Sequence, residues 1–143
     1  MPIASARSQL GAIVTVEVGP SIVATGRGAP SAPGAQPQRI DMLLDTGSEQ
    51  SVLDEDLVSS WGLVYTSAGW ARTIIGTKPA RSYEVMLTLG ERDEEGLRID
   101  PLTVMARPSP FPGARYSGLL GRDVLDRCYL IYDGPGYRFS LNF

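Results

Sequence analysis

The sharpest chemical signal in the chain is Leu43-Leu44-Asp45-Thr46-Gly47-Ser48, where two apolar residues run into an acid, a hydroxyl, a glycine and a second hydroxyl. Alone, such a run also spells a β-turn, with Asp and Gly in their ordinary turn positions. What the chain lacks narrows the chemistry further. No His occurs among the 143 residues, which removes Ser-His and Cys-His nucleophilic systems and every His-ligated metal site. Cys128 is the single cysteine, so neither an intrachain disulfide nor a thiolate metal cluster can form, and it reads as a small buried hydrophobe. Catalysis must therefore run on carboxylates, hydroxyls, Lys or backbone, and neither a metal ion nor a cofactor is expected.

A second segment, Gly118-Leu119-Leu120-Gly121-Arg122-Asp123, lies well downstream of the first. Together the two resemble the retropepsin-like aspartic proteases, over most of the chain. Asp45-Thr46-Gly47-Ser48 is similar to that family's catalytic loop, and Leu119-Leu120-Gly121 to the apolar-apolar-Gly turn that packs beside it. Ser140-Leu141-Asn142-Phe143 resembles the end of retroviral proteases, whereas the Gly26 to Gln38 loop and the Tyr129 to Phe143 hairpin exceed the minimal retroviral pattern and look more like cellular or bacterial single-domain members. The resemblance implies a mostly β, closed barrel with one or two short helices and one Asp-Thr-Gly loop per chain.

It also assigns roles. Peptide hydrolysis without metal or covalent nucleophile needs a general base for water and a general acid for the carbonyl and leaving nitrogen, and two close carboxylates sharing a proton supply both. A second Asp-Thr-Gly or Asp-Ser-Gly is absent, so the pair is expected from Asp45 of two subunits about a two-fold axis, and the partners are a second copy and a peptide or protein substrate. Thr46 is expected to reach across the axis, Gly47 to turn the backbone and leave room for substrate, and Ser48 to donate to the outer oxygen of Asp45. Arg122 is expected to pair with Glu49, which stands where retroviral members carry Asp, with Leu120 and Gly121 packed beside the loop. The terminal segments, Tyr137 to Phe143 among them, are expected to pair between subunits.

Short runs of Val, Ile, Leu, Thr and Tyr, separated repeatedly by the 16 Gly and 11 Pro, are the texture that could position such a loop. Ala12 to Val18 predicts a strand, with Ser21 to Thr25 resuming it after Gly19-Pro20. Residues 26–38, rich in Gly, Ala and Pro, predict a mobile loop within one domain spanning 1–143. Arg39 to Leu44 predicts a strand, and Asp54 to Trp61 a short helix with an Asp cap and Gly62 as its stop. Trp70 to Ile75, Ser82 to Leu89 and Leu97 to Ala106 predict strands, and Gly121 to Arg127 a helical turn. The hairpin Thr66 to Tyr83 is the candidate flap, its tip at Gly76-Thr77-Lys78 or at Ala68-Gly69-Trp70, with Trp70, Ile75, Gly76 and Thr77 the residues to watch. A weak internal echo joins Leu43-Leu44 and Val52-Leu53-Asp54 to Leu119-Leu120 and Val124-Leu125-Asp126.

Charge and hydropathy exclude other classes. Thirteen Lys and Arg against 16 Asp and Glu give a net charge of −3, and the basic residues form no run, so nucleic acid is not an expected partner. No apolar stretch reaches a membrane span, and the one from Leu10, with Arg7 before it, ends at Glu17, a poor signal-peptide core. A cytoplasmic protein with no membrane partner is the expectation. The chain thus reads as a homodimeric aspartic endopeptidase. The alternative is a weakly active or inactive dimeric peptide-binding or scaffold module of the same fold, against which the intact Asp45 motif argues. Phosphoryl transfer through an aspartyl phosphate is weaker, because Glu49, Asp54, Glu55 and Asp56 lack a metal-binding spacing.

Overall fold

Alternation decides the central strand pair. In β2 (Ile13–Pro20) Val14, Val16 and Val18 are buried, and in the antiparallel β3 (Gln38–Leu44) Ile40 and Met42 are, so one face of each strand turns inward. The computed structural model describes residues 2–5, 11–90, 96–108 and 110–143; Arg7 and Leu10 lie outside them. The chain order is β1 (Pro2–Ser5), β2, α1 (Ile22–Gly26), β3, β4 (Val52–Asp54), α2 (Glu55–Ser60), β5 (Ser67–Thr73), β6 (Gly76–Leu89) and β7 (Leu97–Arg107). β8 (Gly118–Leu120), α3 (Arg122–Leu125), β9 (Tyr129–Asp133) and β10 (Arg138–Asn142) follow.

Strands pair in the order β2-β3-β8-β4-β7-β6, and β6 pairs back onto β2, so the sheet closes into a barrel with no free edge among those six. Its interior is filled by fully buried side chains such as Val18, Met42, Leu53, Leu87, Val104 and Leu120. Burying each is worth about 1.5–3 kcal/mol relative to exposure. Trp61, just after α2, packs into the same core. The fold is mostly β and closed, as the resemblance implied. No helix among the described residues is long and apolar enough to cross a membrane.

Three local expectations are corrected. Helices number three among the described residues, because Ser21 to Thr25 does not resume a strand. The Ser21 hydroxyl accepts from Ala24 N–H as an N-cap and donates to Asp100 Oδ1, while Asp100 Oδ2 accepts from Ile22 N–H at 3.0 Å. The carboxylate that satisfies these first-turn amides comes from β7, far away in sequence. Residues 26–38 are not a free excursion: Ala32 N–H donates to the Trp61 carbonyl at 2.7 Å, and Pro37 packs on Gly19. Finally, β10 is paired on both sides within the chain, with β1 and with β9, so the Tyr137 to Phe143 segment has no edge left to pair with another subunit.

The echo between the two chemical segments takes physical form. β3 and β8 lie side by side and parallel, Leu43 opposite Leu119 and Leu44 opposite Leu120. The likeness ends there, since Val52-Leu53 is strand while Val124-Leu125 is helix. β6 is longer than its partner β7: Arg81 to Leu89 pair with β7, whereas Gly76 to Ala80 pair only with β5. The free end of that ladder stands out from the barrel as a hairpin over the end of β3.

Candidate active site

Asp45 follows the last residue of β3, where the parallel β8 continues the ladder for one more bond: Asp45 N–H donates to the Leu120 carbonyl at 3.0 Å. The chain then turns tightly. Ser48 N–H donates to the Asp45 carbonyl at 3.2 Å, and Gly47 N–H donates to Asp45 Oδ1 at 2.9 Å, which orients the half-buried carboxylate. Two amides at the start of α3 seize the far side of the loop, Arg122 N–H on the Ser48 carbonyl at 2.8 Å and Asp123 N–H on the Glu49 carbonyl at 3.1 Å. The helix thus uses N–H groups that have no partner within it to hold the acid-bearing loop.

Gly121 makes this contact possible. A Cβ there would stand 2.6 Å from the Gln50 carbonyl carbon and 2.9 Å from the Ser48 carbonyl oxygen, both backbone. Leu120 is fully buried behind it. Arg122 lies across the loop, Nη1 donating to the Thr46 carbonyl at 2.9 Å, while its Nη2 is 3.7 Å from Glu49 Oε1. Glu49 is 87% exposed, so the expected ion pair exists as a loose surface contact and the carbonyl bond is the firmer tie.

Ser48 departs from expectation. Its hydroxyl donates to the Gln50 carbonyl at 2.6 Å, two residues along the turn, and the hydrogen bond to Asp45 comes from the Gly47 amide instead. Thr46 is exposed, and its hydroxyl bonds none of the described residues.

Sequence reasoning missed the group beneath the loop. Asp123 accepts from Ser51 N–H at 2.8 Å and from the Ser51 hydroxyl at 2.7 Å. That hydroxyl, fully buried, also accepts from Gly121 N–H at 3.0 Å. The two chemical segments are thereby locked together at both ends. Nothing in the spacing of Ser51 and Asp123 could reveal this without the parallel pairing of β3 and β8.

Above Asp45 lies an open cleft of about 670 Å³, floored by Leu43, Val52, Met105 and Leu119 and walled by Ala71 to Ile74 of the hairpin. Hairpin residues thus reach over the acid, but the tip is neither expected turn. Thr73 pairs with Gly76 across a two-residue connection, Ile74-Ile75, with Gly76 at φ 114°, a value open to glycine. Ile74 and Ile75 are almost wholly exposed. Ala68-Gly69-Trp70 lies within β5, where Trp70, exposed, pairs with Pro79, and Thr77 pairs with Arg72. Phe111 and Tyr116, rings 5.3 Å apart, form the opposite wall. No three His, Cys, Asp or Glu among the described residues gather to hold a metal ion.

Two comparisons bear on this arrangement. A family model described as aspartyl protease matches residues 34–124, which span the Asp45 loop, the hairpin and the Gly121 turn. The crystal structure of a retropepsin-like aspartic protease from Rickettsia conorii superposes with a TM-score of 0.50 over 95% of this chain and 96% of that one, at 12% sequence identity, a likeness of fold. No curated protein sequence matches.

Proposed function

This chain belongs to the aspartyl protease family, and we propose that it acts as a homodimeric endopeptidase in which the Asp45 carboxylates of two copies activate water against an extended peptide. The observation that carries the proposal is the placement of Asp45: half-buried, oriented by the Gly47 amide, at the floor of a cleft wide enough for a peptide and overhung by a hairpin. One such loop supplies one carboxylate, and a two-fold axis through it supplies the other.

In this mechanism the pair shares one proton. The ionised Asp45 takes a proton from water as the oxygen attacks the scissile carbonyl, and the protonated one gives its proton to the carbonyl oxygen, forming a neutral tetrahedral diol. Proton return to the nitrogen breaks the C–N bond. The Ile74-Ile75 hairpin closing over the substrate excludes water and offers backbone groups to an added strand. Thr46, exposed with its hydroxyl unengaged, is the residue available to bridge the two loops.

A peptide library incubated with purified wild type and with Asp45→Asn tests the proposal. Cleavage by wild type, reduced at least ~10²-fold in Asp45→Asn with unchanged circular dichroism, is expected. Equal turnover by both would refute it. The scaffold alternative predicts peptide binding with no turnover in either.

A further inference from the structure

Six polar residues border the cleft: Asp45, Ser48, Arg72, Thr73, Arg107 and Tyr116. Three are already engaged, Asp45 by Gly47, Ser48 by the Gln50 carbonyl and Thr73 by the Gly76 carbonyl. The guanidiniums of Arg72 and Arg107 bond none of the described residues, whereas Arg81, Arg98, Arg122 and Arg138 face carboxylates at 2.8, 3.9, 3.7 and 3.4 Å. Those of Arg27, Arg39, Arg115 and Arg127 are likewise without a partner among the described residues, but of these unpaired arginines only Arg72 and Arg107 border the cleft.

Arg107 has a definite place. Along the end of β7, Val104 and Ala106 turn into the core, both fully buried, so Met105 and Arg107 share the opposite face, toward the cleft. Met105 pairs with Val52, Val52 with Leu119 and Leu119 with Leu43, which makes an apolar row across four strands. Asp45 lies two residues beyond one end of the row and Arg107 two beyond the other. β3 and β7 run in opposite directions, so acid and cation occupy opposite corners of the floor. Three strand spacings amount to roughly 14 Å across the sheet and the two residues at each end add about 13 Å along it, roughly 19 Å corner to corner, while an extended peptide advances about 3.3 Å per residue. Allowing for the reach of an arginine, the cation meets a peptide side chain about four residues from a bond held at Asp45.

We propose that Arg107 reads an acidic side chain, Asp or Glu, about four residues from the scissile bond. The proposal rests on Asp45 as the hydrolytic centre. An unpaired guanidinium over an apolar floor binds a carboxylate bidentately and gains from partial desolvation, whereas a neutral side chain leaves it unmatched.

The test uses matched peptides from the cleaved set, identical except for Glu, Gln or Lys at each position within five of the scissile bond, assayed with wild type, Arg107→Gln and Arg107→Glu. At one position wild type should favour Glu over Gln about tenfold in kcat/KM, less at high salt; Arg107→Gln should bring the ratio near one, and Arg107→Glu should favour a Lys peptide. Asp45-dependent cleavage with a Glu to Gln ratio near one at every position, or a ratio unchanged in Arg107→Gln, overturns the acid-reading role and leaves the protease standing. If no peptide is cleaved, the protease proposal fails by itself, and fluorescence anisotropy of labelled library peptides that differ only by Glu or Gln at one position decides the acid reading. Tighter binding of a Glu peptide that is lost in Arg107→Gln supports it, and equal binding overturns it.

Discussion

Asp123→Ala removes both hydrogen bonds to Ser51 and leaves a buried N–H and a buried hydroxyl proton without acceptors. Each such group costs about 1–3 kcal/mol, so the expected loss of stability is about 2–6 kcal/mol. For a domain of this size that corresponds to a fall in Tm on the order of 10 °C. Asp123→Asn provides the control: its amide oxygen still accepts from Ser51 N–H, while the Ser51 hydroxyl loses its acceptor, so the cost should be about 1 kcal/mol. Urea unfolding followed by both fluorescence and circular dichroism measures the difference under a two-state check. Because Gly121 N–H also donates to the Ser51 hydroxyl, Ser51→Ala and Asp123→Ala should be strongly non-additive in a double-mutant cycle. An Asp123→Ala chain within about 0.5 kcal/mol of wild type would refute the claim that this carboxylate holds the loop.

Other outcomes follow from neighbouring features. Gly121→Ala sets a Cβ 2.6 Å from the Gln50 backbone, which cannot move like a side-chain tip, so unfolding measurements should show a loss of about 3 kcal/mol or more together with loss of activity. Burial, and then the Glu55 carboxylate beside it, raises the pKa of Tyr83, and burial raises that of Cys128. Both groups keep their protons longer when folded, so stability is full below their ordinary values of 10.0 and 9.0 and declines as pH rises through the folded ones; Tyr83→Phe should lessen the fall in Tm across that range. Specific activity should drop on dilution in parallel with dimer dissociation in sedimentation, and full activity per chain from a monomer would end the shared-site proposal. Deleting Asn142 and Phe143 should lower monomer stability as well, because Asn142 pairs with both Pro2 and Tyr129 inside one chain.

How much was legible depended on how local the cause was. The alternation in Val14 to Val18, the Asp54 cap of α2, and the Asp-Thr-Gly turn are written in adjacent residues, and the structure follows them. The hairpin of β5 and β6 was legible as an element, but its tip was not. Turn residues such as Gly69 and Gly76 attract the eye, whereas register is set by how the whole of β5 lies on β6, which put two isoleucines at the bend. α1 was hidden because its first-turn amides are satisfied by Asp100, and β10 was misjudged because both its edges are claimed by strands remote in sequence.

The residue types alone determined the available chemistry: with no His and one Cys, a single Asp in a Gly-containing turn after two apolar residues leaves carboxylate catalysis as the sharpest option. Tertiary structure decided how that acid is held and what surrounds it. Asp123 reaches Ser51, Arg107 joins the cleft of Asp45, and the Gly47 amide rather than the Ser48 hydroxyl orients the carboxylate. The physical reason is the same in each case. A hydrogen bond or a charge acts over a few ångströms, and which residues come that close is settled by barrel closure and strand register, quantities that no local window of sequence contains.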